Sequence, residues 1–251
     1  VRAWLGSGPG EALLGAERRL LDAILPNLFG YYLLQVGGLV GGDLVAASRI
    51  RNRICVTDPL AGGCEGCPCL HGSPAALPVA SDSVDVVVLQ HVLEFEPSPH
   101  AALREVERVL VPEGHAVITG FNPFSLVGLR RALARSGTVP PWTGRFVGLT
   151  RLKDWVALLG FETLSAQTAF FRPPLANPSL LERLGALESL GSRFWPYAGG
   201  VYVLLARRRV TTLTPVKPRW RPRPRLAGIG LAEPTAGRAA REGTSVRGLT
   251  A

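Results

Sequence analysis

The chain has 251 residues, 47% of them hydrophobic, which is enough for one sizeable core or for one domain with an appendage. No apolar run reaches the roughly 18–20 residues of a membrane span, and the N-terminus lacks a basic-then-apolar leader, so a soluble cytoplasmic protein with no membrane partner is expected. The net charge of +9 is uneven: residues 211–251 carry +6 and the body before them only +3, so the high charge says little about the folded part.

Residues 1–30 are expected to form an N-terminal helical segment packed on the core. Within it, 11–25 reads as a helix with an apolar stripe of Leu13, Leu14, Leu20, Leu21 and Ile24. Glu17, Arg18, Arg19 and Asp22 fall to its polar side, and Pro26 ends it. Residues 32–36 then read as a buried strand that stops at Gly37-Gly38, with Gly41-Gly42 following and a helix over 43–52. A strand ending in glycines ahead of a helix makes a cradle where a ligand approaches bare peptide groups. A second strand, 53–57, ends at Asp58, 23 residues after Gln35. A carboxylate at the tip of the neighbouring parallel strand accepts both hydroxyls of a ribose.

Cys64, Cys67, Cys69 and His71 form a C-x2-C-x-C-x-H run. Structural zinc sites pair two knuckles and only one is present, so no metal is assigned. Disulfides are not expected in a reducing cytosol. Residues 69–71 are a weak third strand. Ser81-Asp82-Ser83 is a polar turn before 84–89, a β-branched run suited to a central parallel strand covered on both faces. Gln90 and His91 stand at its tip, where ligands of open α/β sheets gather.

Ser98-Pro99 opens the next helix, with Ser98 as N-cap. Leu103, Val106, Val109 and Leu110 point inward, and Arg104, Glu105, Glu107 and Arg108 toward water. Pro112-Glu113-Gly114 turns the chain into a strand over 115–119, tipped by Gly120-Phe121-Asn122-Pro123. Then come a helix over 124–136, a helix capped by Thr150 and running to 159, a strand over 161–170, a helix over 177–190 and a final strand over 200–206. Alternating β and α units imply a parallel sheet with right-handed crossovers, closed by two late strands paired as a hairpin. The Pro- and Arg-rich tail, 211–251, is expected to be disordered. A nucleic-acid or other polyanion-binding arm is the alternative to a merely solvated tail.

Taken together, the glycine cradle, Asp58, LPVASDSVDVVVLQHVLEF and LREVERVLVPEGHAVITGFNP resemble class I S-adenosylmethionine-dependent methyltransferases of the type 11 group. The resemblance implies an α/β fold: a Rossmann-like, doubly wound, mostly parallel seven-stranded sheet with helices on both faces, spanning 31–210. It implies S-adenosyl-L-methionine as cofactor, with Gln35, Gly37 and Gly41 under the methionine part and Asp58 on the ribose. Pro59 and Leu60 would flank the adenine, Ser73 and Pro74 would read its amino group, and Gln90 and His91 would face the sulfonium and the acceptor. The sequence departs from the family at Gln35, usually an acid, at Leu39, usually glycine, and at Ser73, usually an acid.

Such a cofactor carries its own electrophile, so the protein needs only to bind it, expel water and align a small-molecule acceptor. His91 is the candidate base, against a plainer role in lining the pocket or bonding to Glu94; Glu94 and Asn122 are lesser candidates. Two rival readings remain open. One is an NAD-dependent oxidoreductase, which Gly37, Gly42 and Asp58 suit and Leu39 does not. The other is a catalytically degenerate methyltransferase-fold binding protein.

Overall fold

A computed structural model describes residues 6–37, 44–57, 68–133, 143–173, 191, 195 and 197–210. Its frame is a seven-stranded sheet in the order β3-β2-β1-β4-β5-β7-β6. The strands are β1 (Tyr32–Val36), β2 (Asn52–Thr57), β3 (Cys69–His71), β4 (Val84–Gln90), β5 (Leu110–Phe121), β6 (Phe161–Ala169) and β7 (Val201–Arg208). β1 to β5 pair in parallel, and β7 runs antiparallel to both β5 and β6. The expected mostly parallel, doubly wound architecture is therefore present, and the late hairpin closes it. Among the described residues, no helix is long and apolar enough to cross a membrane.

Burial explains the apolar strands. Along β4, Val87 and Leu89 enter one core and Val86 and Val88 the other, so neither face tolerates polarity. Helices α2 (Pro99–Val109) and α4 (Leu149–Leu158) cover the first face through Ala102, Leu103, Val106, Leu152 and Val156. Helix α1 (Gly8–Ile24) meets the second face through Leu21 and Ile24, and a third cluster of Leu13, Ala16, Phe121, Val127, Phe170 and Val201 joins α1 to the strand tips. Val127 lies on α3 (Leu126–Leu133). At the other end of the sheet, Asp85 accepts hydrogen bonds from the amides of Tyr31 (2.8 Å) and Tyr32 (2.9 Å) and so pins the start of β1.

Several local expectations are corrected. Residues 44–47 form turns, not a helix, and 48–50 have no regular structure. Ser98 sits at the N-cap of α2, but its side chain makes no capping bond; its carbonyl takes the amides of Ala101 and Ala102 instead. α4 is preceded by Gly148, one residue before Leu149, so Thr150 lies inside the helix. β5 begins directly at Leu110. Leu110 pairs with Val84 and His115 with Val86, so 111–114 bulge out, with Glu113 at φ 63°. Cys55, buried in β2, is disulfide-bonded, against the expectation of reduced thiols. Cys64, Cys67, the helix expected over 177–190 and the tail lie outside the described residues.

The polar face of α2 is also corrected. Arg108 does not simply face water. Its guanidinium grips Glu105 through Nε (2.9 Å) and Nη2 (2.8 Å) and donates to the carbonyls of Val79 (2.9 Å) and Leu77 (3.0 Å). Glu105 in turn accepts the Leu77 amide at 2.9 Å. This staple ties the approach to β4 onto α2. A lysine cannot reproduce the planar fork, so Arg108→Lys is expected to lower unfolding stability by about 1–2 kcal/mol in urea titration. A loss below about 0.3 kcal/mol would show that the staple contributes nothing beyond an ordinary surface pair.

Candidate functional site

In a parallel sheet the ligand mouth opens at the carboxyl ends of the strands, where the order reverses. Here β1 and β4 are neighbours, with β2 and β3 wound outward from one and β5 from the other, so the reversal lies between β1 and β4. Gly37 caps β1 at φ +87°, and its amide donates to the Val56 carbonyl at 3.1 Å. A Cβ at residue 37 would lie 2.6 Å from the Gln90 carbonyl oxygen and 2.8 Å from Val92 Cγ2. Conformation and space both require glycine there.

The structure brings Gln35 and Gln90 together. Both are buried, and Gln35 Nε2 donates to Gln90 Oε1 at 3.4 Å. Among the described residues, Gln90 Nε2 has no hydrogen-bond partner, nor has the buried Thr57 Oγ1 at the end of β2. Ser73 and Pro74 lie in a turn just beyond β3; Ser73 is exposed and its hydroxyl accepts the Ala75 amide at 3.2 Å. Gly41, Asp58, Pro59 and Leu60 lie outside the described residues.

His91 lies one residue beyond β4, at φ 48°, a backbone region that a non-glycine residue occupies at a cost. Its side chain is completely buried, stacked on Phe121 with ring centroids 4.1 Å apart. Nε2 is 3.1 Å from Glu17 Oε2, and Nδ1 is 3.4 Å from Glu94 Oε1; both carboxylates are also wholly buried. Burial alone pulls the imidazolium pKa down. The Glu17 charge and hydrogen bond, then those of Glu94, outweigh it and raise His91 to about 10. At neutral pH both ring nitrogens therefore carry protons aimed at carboxylates. A general base needs a lone pair, and this imidazole has none to offer.

The lesser candidates are engaged as well. Glu94 Oε1 accepts the Phe121 amide at 2.6 Å. Asn122 Nδ2 donates to the carbonyls of Tyr197 (2.6 Å) and Gly199 (3.0 Å), and Asn122 Oδ1 accepts the Phe124 amide at 3.0 Å, so it fastens the entry to β7. Burial, then the Glu94 charge, push the Tyr202 phenol well above its usual value. Glu17 is the residue that sequence reasoning misplaced on a solvent face. Its signal was positional: Leu13, Glu17 and Leu21 are spaced by four along one ridge of α1, and a carboxylate on an apolar ridge needs a buried partner.

Comparisons with known proteins agree with this geometry. A family model described as a methyltransferase domain matches residues 30–118. YafS of Escherichia coli (strain K12) is 32% identical over 206 residues, covering 82% of this chain and 80% of that protein. A SAM-dependent methyltransferase from Thermotoga maritima superposes with a TM-score of 0.61 at 19% identity, over 80% of this chain and 91% of its own. Another, from Archaeoglobus fulgidus, gives a TM-score of 0.53 at 18% identity, over 79% and 97%. These two likenesses show a shared fold; the family model and the YafS match carry the family. The chain belongs to the class I S-adenosylmethionine-dependent methyltransferases of the type 11 group, whose cofactor is S-adenosyl-L-methionine.

Proposed function

We propose that the protein methylates a small-molecule acceptor, with the cofactor held at the mouth between β1 and β4. The observation that supports this best is the pair of buried polar atoms without partners among the described residues, Gln90 Nε2 and Thr57 Oγ1, on strands that end at the same side of the sheet as Gly37. A buried polar atom left unsatisfied costs free energy, and a polar ligand at the mouth relieves that cost. The bound cofactor would supply a methyl group already activated on a sulfonium centre. The chain's own residues bind and orient: Gly37 permits close approach, Gln35 and Gln90 present neutral polar edges, and Asp58 takes the ribose hydroxyls. Gly41 belongs to the cradle, Pro59 and Leu60 flank the base, and Ser73 and Pro74 read its edge.

His91 enters this reading as a positioning residue. Through Glu17 it fastens α1 over the strand tips, and through Glu94 it fixes the β5 tip. A neutral nucleophile on the acceptor, losing its proton to water, then needs no base from the chain.

The test is calorimetry and thermal melting of the full chain with S-adenosylhomocysteine and, separately, NAD. S-adenosylhomocysteine is expected to bind and raise Tm, and NAD to do neither. Asp58→Ala is expected to raise the S-adenosylhomocysteine Kd at least about tenfold, in line with the loss of two charge-assisted hydrogen bonds. Deleting 211–251 should leave that Kd unchanged. A shift with NAD alone would move the chain to the oxidoreductase reading, and no shift with either to the non-catalytic one.

A further inference from the structure

Thr119 Oγ1 and Glu17 Oε1 are buried and, among the described residues, have no hydrogen-bond partner. The placing of the cofactor rests on Thr57 and Gln90 and leaves these two atoms unexplained.

All four residues meet in one layer. Side chains alternate between the faces of a strand. Val88 and Val117 lie in the core cluster that holds Leu21 of α1, and Phe121 lies in the one that holds Leu13. Gln90 and Thr119 therefore share the face that α1 covers, and they are register partners. Thr57 shares it too, because its neighbour Val56 enters the core on the other face. Val36 pairs with both Val56 and Leu89, so Thr57 and Gln90, each one residue further on, stand at the same level. β2, β1, β4 and β5 are successive in the sheet, so the row runs about 14 Å across their carboxyl ends.

Helix α1 meets the β5 end of that row with an acid. Leu13, Glu17 and Leu21 are spaced by four on one ridge, about 6 Å per step. Alternate residues of a strand are about 6.6 Å apart, so the ridge keeps pace with Phe121, Thr119 and Val117 on β5. Leu13 shares a cluster with Phe121 and Leu21 with Val117, which sets Glu17 opposite Thr119. Glu17 Oε2 reaches His91, whose own amide bonds to the Thr119 carbonyl at 3.3 Å. A layer with no ligand would do better with apolar side chains. Valine has nearly the shape of threonine and strands no hydroxyl, whereas a buried polar atom left unsatisfied costs free energy. Charge points the same way. One imidazole faces two wholly buried carboxylates, and Glu17 and Glu94 each keep one oxygen without a partner among the described residues.

We propose that Glu17 and Thr119 receive an N–H or O–H group of the methyl acceptor, which is therefore an amine or an alcohol and not a carboxylic acid. A carboxylate oxygen only accepts hydrogen bonds, so its partner has to be a donor. An anionic acceptor has no donor to offer and is repelled by the two acids. Both residues orient the acceptor, and neither is asked to take its proton. The layer is buried beneath α1, so a ligand reaches it only as that helix moves. This assignment rests on the methyltransferase reading and adds the acceptor's chemical class to it.

The test uses the full chain and begins with S-adenosylhomocysteine binding. Failure there overturns the methyltransferase reading and this one with it. The probe that follows is S-adenosylmethionine labelled in its methyl group, incubated with the chain and a protein-free extract of the producing cells. The expected product carries the label on nitrogen or on an ether oxygen by mass spectrometry, and the label survives mild alkali. A methyl ester, which alkali hydrolyses to methanol, overturns this assignment alone, as does a methyl on carbon or sulfur or no labelled product from a chain that binds S-adenosylhomocysteine. Thr119→Val then separates recognition from structure, with the purified acceptor as substrate. It is expected to raise the acceptor KM at least about threefold, in line with the loss of one hydrogen bond, while the S-adenosylhomocysteine Kd stays within twofold and Tm does not fall. An unchanged KM would make Thr119 a packing residue and overturn its role. Glu17→Gln is expected to raise KM further, but it also touches the contact with His91, so Thr119→Val decides.

Discussion

His91→Leu is expected to destabilise the fold by about 3–5 kcal/mol, because it strands two buried carboxylates without their counter-charge. Leucine fills a comparable volume, so the loss is not chiefly a cavity effect. Both carboxylates are wholly buried: Glu17 Oε2 loses its imidazole donor, and Glu94 Oε1 is left with the Phe121 amide at 2.6 Å. For a folded body of this size the change corresponds to a Tm decrease of roughly 6–20 °C. The double variant Glu17→Leu/His91→Leu removes both ends of the main pair and should be less destabilised than His91→Leu alone, since apolar replacement of a whole buried pair is close to neutral. Chemical denaturation measures both. A loss under about 1 kcal/mol in the single variant would mean that the three groups do not form a buried charged cluster.

The same cluster sets a pH dependence whose sign follows from linkage. The folded pKa of His91, about 10, lies above its ordinary 6.5, so folding takes up a proton between those values. The stabilisation is complete below pH 6.5 and is lost as pH rises through about 10. Within that window the slope approaches about 1.4 kcal/mol per pH unit for one proton. The groups facing the imidazole are Glu17 from α1 and Glu94 from beyond β4, with Phe121 stacked on its ring. The His91→Leu variant should lack this slope. An equal slope in both proteins would assign the alkaline loss to other groups.

The frame of the molecule was readable because its signals are local and redundant. The run from Val84 to Leu89 is apolar at every position but one, and only a strand covered on both faces makes that economical. Pro99 and the 3.6-residue stripe marked α2 in the same way. The segment over 43–52 misled because fewer than a dozen residues with helical periodicity need not nucleate a helix. Leu44, Val45 and Ile50 reach the core from turns instead. The site was less readable. Gln35, Gly37 and Gln90 follow from the strand ends, but the Glu17–His91 contact spans 74 residues and depends on how α1 crosses the sheet. No short-range pattern encodes that crossing. Arg108 was misjudged for a related reason. Amphipathic spacing says which face of a helix is polar, not whether a loop returns to use it.

Gly37→Ala is expected to raise the S-adenosylhomocysteine Kd by at least about thirtyfold, roughly 2 kcal/mol, and to lower stability as well. Two separate penalties meet at this residue. At φ +87° any L side chain is strained, at a cost of about 1–3 kcal/mol. The added Cβ would also stand 2.6 Å from the Gln90 carbonyl oxygen. That oxygen belongs to the backbone at the end of β4, where Thr119 pairs with Gln90 and the following amide, that of His91, bonds to the Thr119 carbonyl at 3.3 Å. It cannot swing aside as a side chain would. Relief requires separating the ends of β1 and β4, and the mouth between those two strands is where the cofactor is proposed to sit. Gly15→Ala is the natural control: it also adds a Cβ to a glycine, but one that meets nothing within 4 Å, and should leave S-adenosylhomocysteine binding unchanged. Unaltered affinity in Gly37→Ala, with stability lost to the extent the strain predicts, would separate the glycine's conformational role from any role at the mouth and would remove the main geometric support for placing the cofactor there.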